Sequence, residues 1–117
     1  MIQVTAHVQI YIYIPPVDFR MGLDCLINFC ERHIDEKPFS GNLYLFRSRK
    51  KSSIKMVTYD GQGWWLIQKR LSIGKFKWWP NANDEKIKIN MYELQVLIGN
   101  GDPSCCNSGM AWRKISK

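Results

Sequence analysis

Metal-assisted cleavage of a phosphodiester needs carboxylates that hold divalent ions. In this 117-residue chain the main candidates are Asp18, Asp24, Asp60, Glu85 and Glu93. Most have a simpler local role. Asp18 and Glu93 sit where helix caps are expected, Asp60 precedes a glycine in a turn, and Asp24 falls on a polar helix face. His33 lies three residues after Cys30, a spacing that can share a metal, but no second ligand pair accompanies it. His7 falls on the outer face of the first strand, and no Ser or Cys has an evident His partner. The four cysteines, Cys25, Cys30, Cys105 and Cys106, contain no C-x-x-C pair and fit a reducing compartment rather than a disulfide framework. No glycine-rich phosphate loop is present; Gly61-Gln62-Gly63 reads as a turn. The expectation is therefore no catalytic residue, no metal and no cofactor. A metal-dependent nuclease with an unrecognised site is the less favoured reading.

Charge is the stronger signal. The net charge is +7, and it is unevenly placed. Residues 1–36 carry a net −3, residues 37–83 a net +9 with Asp60 as the lone acid, and residues 84–117 a net +1. Within the middle block the run Arg47-Ser48-Arg49-Lys50-Lys51-Ser52-Ser53-Ile54-Lys55 has five cations and no acid. Such a block points to a polyanionic partner, or to a sheet face kept wet by its charges. Nine of the fifteen aromatic residues lie in the same block, so rings that stack bases between cations that hold phosphates are one reading. Rings that pack as core, with cations lying over them, are the other.

The elements that must position these residues follow from periodicity. Val4 to Ile14 alternates apolar and polar residues, a half-buried strand stopped by Pro15-Pro16. Asp18 is placed to cap a helix whose apolar face is Phe19, Leu23, Leu26, Ile27, Cys30 and Ile34, with Arg20, Asp24, Asn28, Glu31, Arg32 and Asp35 on its wet side. Pro38 ends it, and Ser40-Gly41 turns the chain. Strands are expected over 42–48, 54–59, 63–71 and 75–79, with a further short one at 86–89. Asp60-Gly61 is a strong hairpin signal. Asn90 and Glu93 form a capping box for a second helix with Met91, Leu94, Leu97 and Ile98 as its stripe, ended by Gly99 to Gly101. The fold class is α+β: an antiparallel β-meander of about five strands with an N-terminal strand and two helices, forming a single domain over 1–102 with a flexible tail over 103–117. No span reaches membrane length and no leader pattern opens the chain, so neither a membrane partner nor export is expected.

Several phrases resemble a known family. They are Asp18-Phe19-Arg20-Met21-Gly22-Leu23-Asp24, then Pro38-Phe39-Ser40-Gly41-Asn42-Leu43-Tyr44-Leu45-Phe46-Arg47, Tyr59-Asp60-Gly61-Gln62-Gly63, Lys69-Arg70-Leu71, Gly74-Lys75-Phe76 and Trp79-Pro80. In order and spacing they are similar to the small accessory protein, often called TnpB, from the second reading frame of insertion-sequence-66-type transposable elements. Met21 stands where that family commonly has Lys, and Cys105-Cys106 match no part of it. The resemblance implies a bacterial, cytoplasmic, non-catalytic protein that assists transposition beside a separate transposase. Joined to the charge pattern, it makes DNA the expected partner, with Arg47, Arg49, Lys50, Lys51, Lys55, Lys69, Arg70, Lys75 and Lys77 as contact residues. Arg47 shares a strand face with Leu43 and Leu45, Lys55 shares one with Val57 and Tyr59, and Arg49, Lys50 and Lys51 fall at a hairpin tip. The alternative is an adaptor that docks on the element's transposase through exposed aromatics without touching DNA.

Overall fold

The computed structural model describes residues 8–103. Runs rich in β-branched and aromatic residues give five strands: β1 Ile10–Tyr13, β2 Leu43–Arg47, β3 Ser53–Tyr59, β4 Trp64–Arg70 and β5 Lys86–Ile89. Two helices, α1 Leu23–His33 and α2 Met91–Ile98, complete an α+β fold. The sheet order is β4-β3-β2-β1-β5. Only β2-β3-β4 is a meander. β1 lies parallel to β2, because α1 carries the chain across between them, and β5 pairs antiparallel on the other side of β1. The sheet is therefore mixed, not the wholly antiparallel meander the sequence led us to expect.

The helices lie on opposite faces of this sheet. On one face Leu26, Cys30 and Ile34, at helical spacing, pack with Tyr13, Tyr44, Phe46 and Val57. Phe29, which the sequence pattern missed, joins them edge-on, 4.7 Å from Tyr13 and 5.8 Å from Phe46. On the other face Leu94 and Leu97 pack with Ile10, Ile12, Leu43, Leu45 and Ile89. The predicted capping box of α2 is present in full: Asn90 Oδ1 accepts from Glu93 N–H at 2.8 Å, and Glu93 Oε1 accepts from Asn90 N–H at 2.9 Å. In α2 the buried residues are Leu94, Val96 and Leu97, and Ile98 is exposed instead of closing the stripe.

Two local expectations fail. Asp18 does not cap α1, whose N-cap is Gly22 without a side-chain bond. Val17 bridges Ser48, which holds this part of the chain extended, and Asp18 turns back onto Arg20. Arg20 thus lies in a loop, not on the wet side of the helix. Residues 75–79 form no strand. Gly74 takes φ 84°, and the following amides find partners outside a ladder: Phe76 N–H donates to Lys51 O, and Lys77 N–H to Asn100 Oδ1. Phe76, Trp78 and Trp79 then pack against the α2-side core, so Lys75, Lys77 and Trp79 share no strand face. The expected strand residues 4–7 and the tail with Cys105 and Cys106 lie outside the described residues.

Candidate functional site

The basic run is split by strand pleat and by the hairpin turn. Arg49, Lys50 and Lys51 form the tip between β2 and β3, and all three are exposed. The turn closes with Lys51 N–H donating to Ser48 O at 3.1 Å, Ser48 N–H to Ser53 O at 3.0 Å and Ser53 N–H to Ser48 Oγ at 3.2 Å. Lys51 takes φ 64°, the left-handed region that lets so short a loop reverse. Two further bonds brace the tip. Leu71 N–H, just past β4, donates to Ser52 O at 2.8 Å, and Phe76 N–H donates to Lys51 O at 2.8 Å.

These bonds bring three segments together. The tip, the end of β4 with Lys69 and Arg70, and the 72–77 loop with Lys75 and Lys77 converge on one end of the sheet. Register puts Arg70 opposite Ser53 on the α1 face and Lys69 opposite Ile54 on the α2 face. Lys69 Nζ donates to Ile98 O at 2.6 Å, at the end of α2. A shallow open cleft of about 350 Å³ runs between the tip and Val17–Phe19, with Arg49, Lys50 and Arg70 on its walls. The single acid of that lining, Asp18, is paired with Arg20 at 2.8 Å. Hydrogen bonds from the Arg20 side chain and amide, with the charges of Arg20 and Arg49, hold the Asp18 carboxyl down to about 2. Arg20 thus neutralises the one acid of the cleft, a role the sequence pattern missed because it placed Arg20 on the wet face of a helix.

Two expected contact residues are set apart. Lys55 is 6% exposed. Its Nζ donates to Phe19 O and Met21 O, both at 3.0 Å, and lies 4.8 Å from the Phe19 ring centroid. It ties the loop before α1 to the sheet. Arg47 is half-buried, with its guanidinium 5.5 Å from the Trp79 ring centroid. Burial lowers its pKa from the usual arginine value. Trp79 is itself held by its indole N–H donating to Ile14 O at 2.9 Å.

Phe76, between Lys75 and Lys77, packs against the α2-side core rather than standing free among the cations. Tyr44 and Phe46 are fully buried. Phe39, Tyr59 and Trp64 cluster with centroids 5.1, 5.4 and 5.3 Å apart, where β3 hands over to β4. The nearby Asp60 accepts hydrogen bonds from Gln62 N–H, Gly63 N–H and the Trp65 indole, which hold its carboxyl down to about 2. That cluster and the cationic tip lie at opposite ends of β3, a strand of seven residues, or ~20 Å.

Among the described residues, no group of three or more His, Cys, Asp or Glu side chains is arranged to hold a metal ion. Cys30 is buried in the core, and burial, with the charge of Asp35, pushes its thiol up to about 12. His33 instead approaches Glu85, at 3.7 Å. No described helix is long and apolar enough to cross a membrane.

The family model described as IS66 Orf2 like protein matches residues 8–106, so it reaches Cys105 and Cys106, which the resemblance read from the sequence leaves outside the family. An uncharacterized Sinorhizobium fredii protein, y4hO, is 34% identical over 107 residues, covering 92% of this chain and 84% of its own. A second uncharacterized protein of that organism, y4jC, is 25% identical over 117 residues, covering 100% of this chain and 92% of its own. No solved structure matches.

Proposed function

The chain belongs to the IS66 Orf2-like family, and from that premise we propose that this insertion-sequence accessory protein assists transposition by gripping DNA phosphates with the cationic end of its sheet. The observation that carries the reading is convergence. Exposed cations from three separate segments, Arg49 to Lys51, Lys69-Arg70 and Lys75 to Lys77, meet at one end of the sheet, braced by the two bonds from Leu71 and Phe76. Charges on a braced loop lose less freedom on contact than charges on a loose one. Contacts of this type position a protein on DNA without reading its sequence. The role is non-catalytic and cytoplasmic, beside the transposase of the same element.

Titrating binding to element-end DNA against salt tests this. Replacing Arg49, Lys50 and Lys51 together with Ser leaves the fold intact and weakens binding. If each had neutralised one phosphate, the slope of log affinity against log salt becomes shallower by roughly 2.7. Unchanged affinity and slope would make the tip only a solvated turn. The second reading, an adaptor that docks on the transposase, is favoured by one observation: Phe39, in the aromatic cluster, is 57% exposed. A transposase pull-down that survives nuclease treatment, from a protein with no affinity for DNA, would establish it.

A further inference from the structure

The two edges of the sheet are built differently. The β5 edge is four residues long and carries Lys86 and Lys88, a short charged edge of the kind that discourages pairing. The β4 edge is seven residues long and opens with four apolar residues, Trp64-Trp65-Leu66-Ile67. Trp65, Leu66 and Ile67 are each 39% exposed, and among the described residues no strand pairs with the outer side of β4. A long apolar edge of this kind is a template for another strand.

We infer that two copies of this chain join through β4, antiparallel about a two-fold axis at Ile67. Antiparallel copies related by a two-fold axis normal to the sheet keep like faces together, so the axis passes through a residue rather than between two. Ile67 is the midpoint of β4, and an axis there pairs all seven residues: Trp64 with Arg70, Trp65 with Lys69 and Leu66 with Gln68. Each cation then meets an indole of the other copy, and no cation faces a cation. An axis at Gln68 sets Lys69 and Arg70 against Ile67 and Leu66, and one at Leu66 leaves both cations beyond the partner strand. A second feature fits the central register. A small apolar slot of about 60 Å³, lined by Leu45, Ile54, Met56, Ile67, Lys69 and Ile98, lies on the α2 face. The second copy's Trp65 arrives on that face, beside Lys69.

Sedimentation of the full chain without DNA, at rising concentration, reads the association independently of any DNA contact. A dimer mass is expected. Ile67→Lys sets two ammonium groups against each other on the axis and yields a monomer with its melting temperature retained. Should that variant unfold, cross-linking still decides. With Cys25, Cys105 and Cys106 replaced by Ser, Ile67→Cys forms a disulfide-linked dimer under mild oxidation. Trp65→Cys does not, because its two copies lie four residues, ~13 Å, apart along the pair. A full chain that stays monomeric at every concentration, with β4 bare or covered by residues 104–117, overturns the inference. So does cross-linking of Trp65→Cys as readily as Ile67→Cys.

Discussion

The two ends of the β3–β4 ribbon share the same pair of strands and almost nothing else. One end gathers Arg49, Lys50 and Arg70 around an open cleft, with Lys51 beside them in the tip. The other packs Phe39, Tyr59 and Trp64 against one another above a turn organised by Asp60. Along the chain, cations and rings alternate in blocks. Reversal of the chain at Asp60-Gly61 folds Tyr59 onto Trp64, and reversal at the basic tip brings 49–51 beside 69–70. Two turns thus sort a mixed sequence into a charged pole and an apolar one. Composition alone cannot distinguish this from a single interleaved surface, which is why a stacking platform studded with cations stood beside a packed core as one of two readings. If the poles are separate devices, lesions at each should have separable consequences.

The most severe test lies within the basic run. Lys55 belongs to it by sequence, but its ammonium serves two backbone carbonyls of the loop before α1. Lys55→Met keeps the length of the side chain and removes its donors, leaving the Phe19 and Met21 carbonyls without them. The expected loss is about 3 kcal/mol of unfolding free energy, read from urea transitions. DNA affinity of the folded fraction should not change. If the variant instead keeps its stability and loses DNA binding, Lys55 acts as a contact residue and the division between structural and exposed cations fails.

A smaller effect is expected at the apolar pole. Trp64 touches Phe39 and Tyr59 and is half-buried. Trp64→Ala should cost about 2 kcal/mol, since two ring contacts are lost along with part of the indole burial. Affinity for DNA, and its dependence on salt, should match the parent protein. A drop in affinity without a change in the salt slope would mean that the rings stack on bases, and would join the two poles into one interface.

The parts of this arrangement that were legible in the sequence are those governed by local chemistry. Aromatic and β-branched runs between turn signals located β2, β3 and β4, and the strand period of two assigned Arg47 and Lys55 to their faces correctly. The Asn90–Glu93 pair marked the start of α2. What could not be read was set by distant partners. The stretch 75–79 alternates like a strand, but Lys51 O and Asn100 Oδ1 take its amide protons and the core takes its rings. Asp18 looks like a cap until Val17 is drawn to Ser48 and the helix starts at Leu23. The parallel placement of β1 beside β2 depends on a crossover, which carries no period of its own. The candidate site follows the same division. Its residue types were visible, but the convergence of its segments was not, because the bonds from Leu71 and Phe76 span long stretches of chain.

The smallest expected effect separates charge from conformation at the tip. Lys51 pairs an exposed ammonium with a backbone at φ 64°. For a residue with a Cβ that conformation is strained, whereas glycine adopts it freely but has more freedom to lose on folding. Lys51→Gly should therefore raise stability slightly, by less than ~1 kcal/mol, while removing one cation from the pole. The two readouts move in opposite directions. Unfolding shifts to higher urea, and the slope of log affinity against log salt becomes shallower by about 0.9 if Lys51 neutralises one phosphate. The carbonyl that accepts from Phe76 N–H is a backbone group and survives the substitution, so the brace on the 72–77 loop is kept. A variant with better stability and an unchanged salt slope would show that Lys51 serves the turn and not the pole. The cationic contact would then narrow to Arg49, Lys50 and the end of β4.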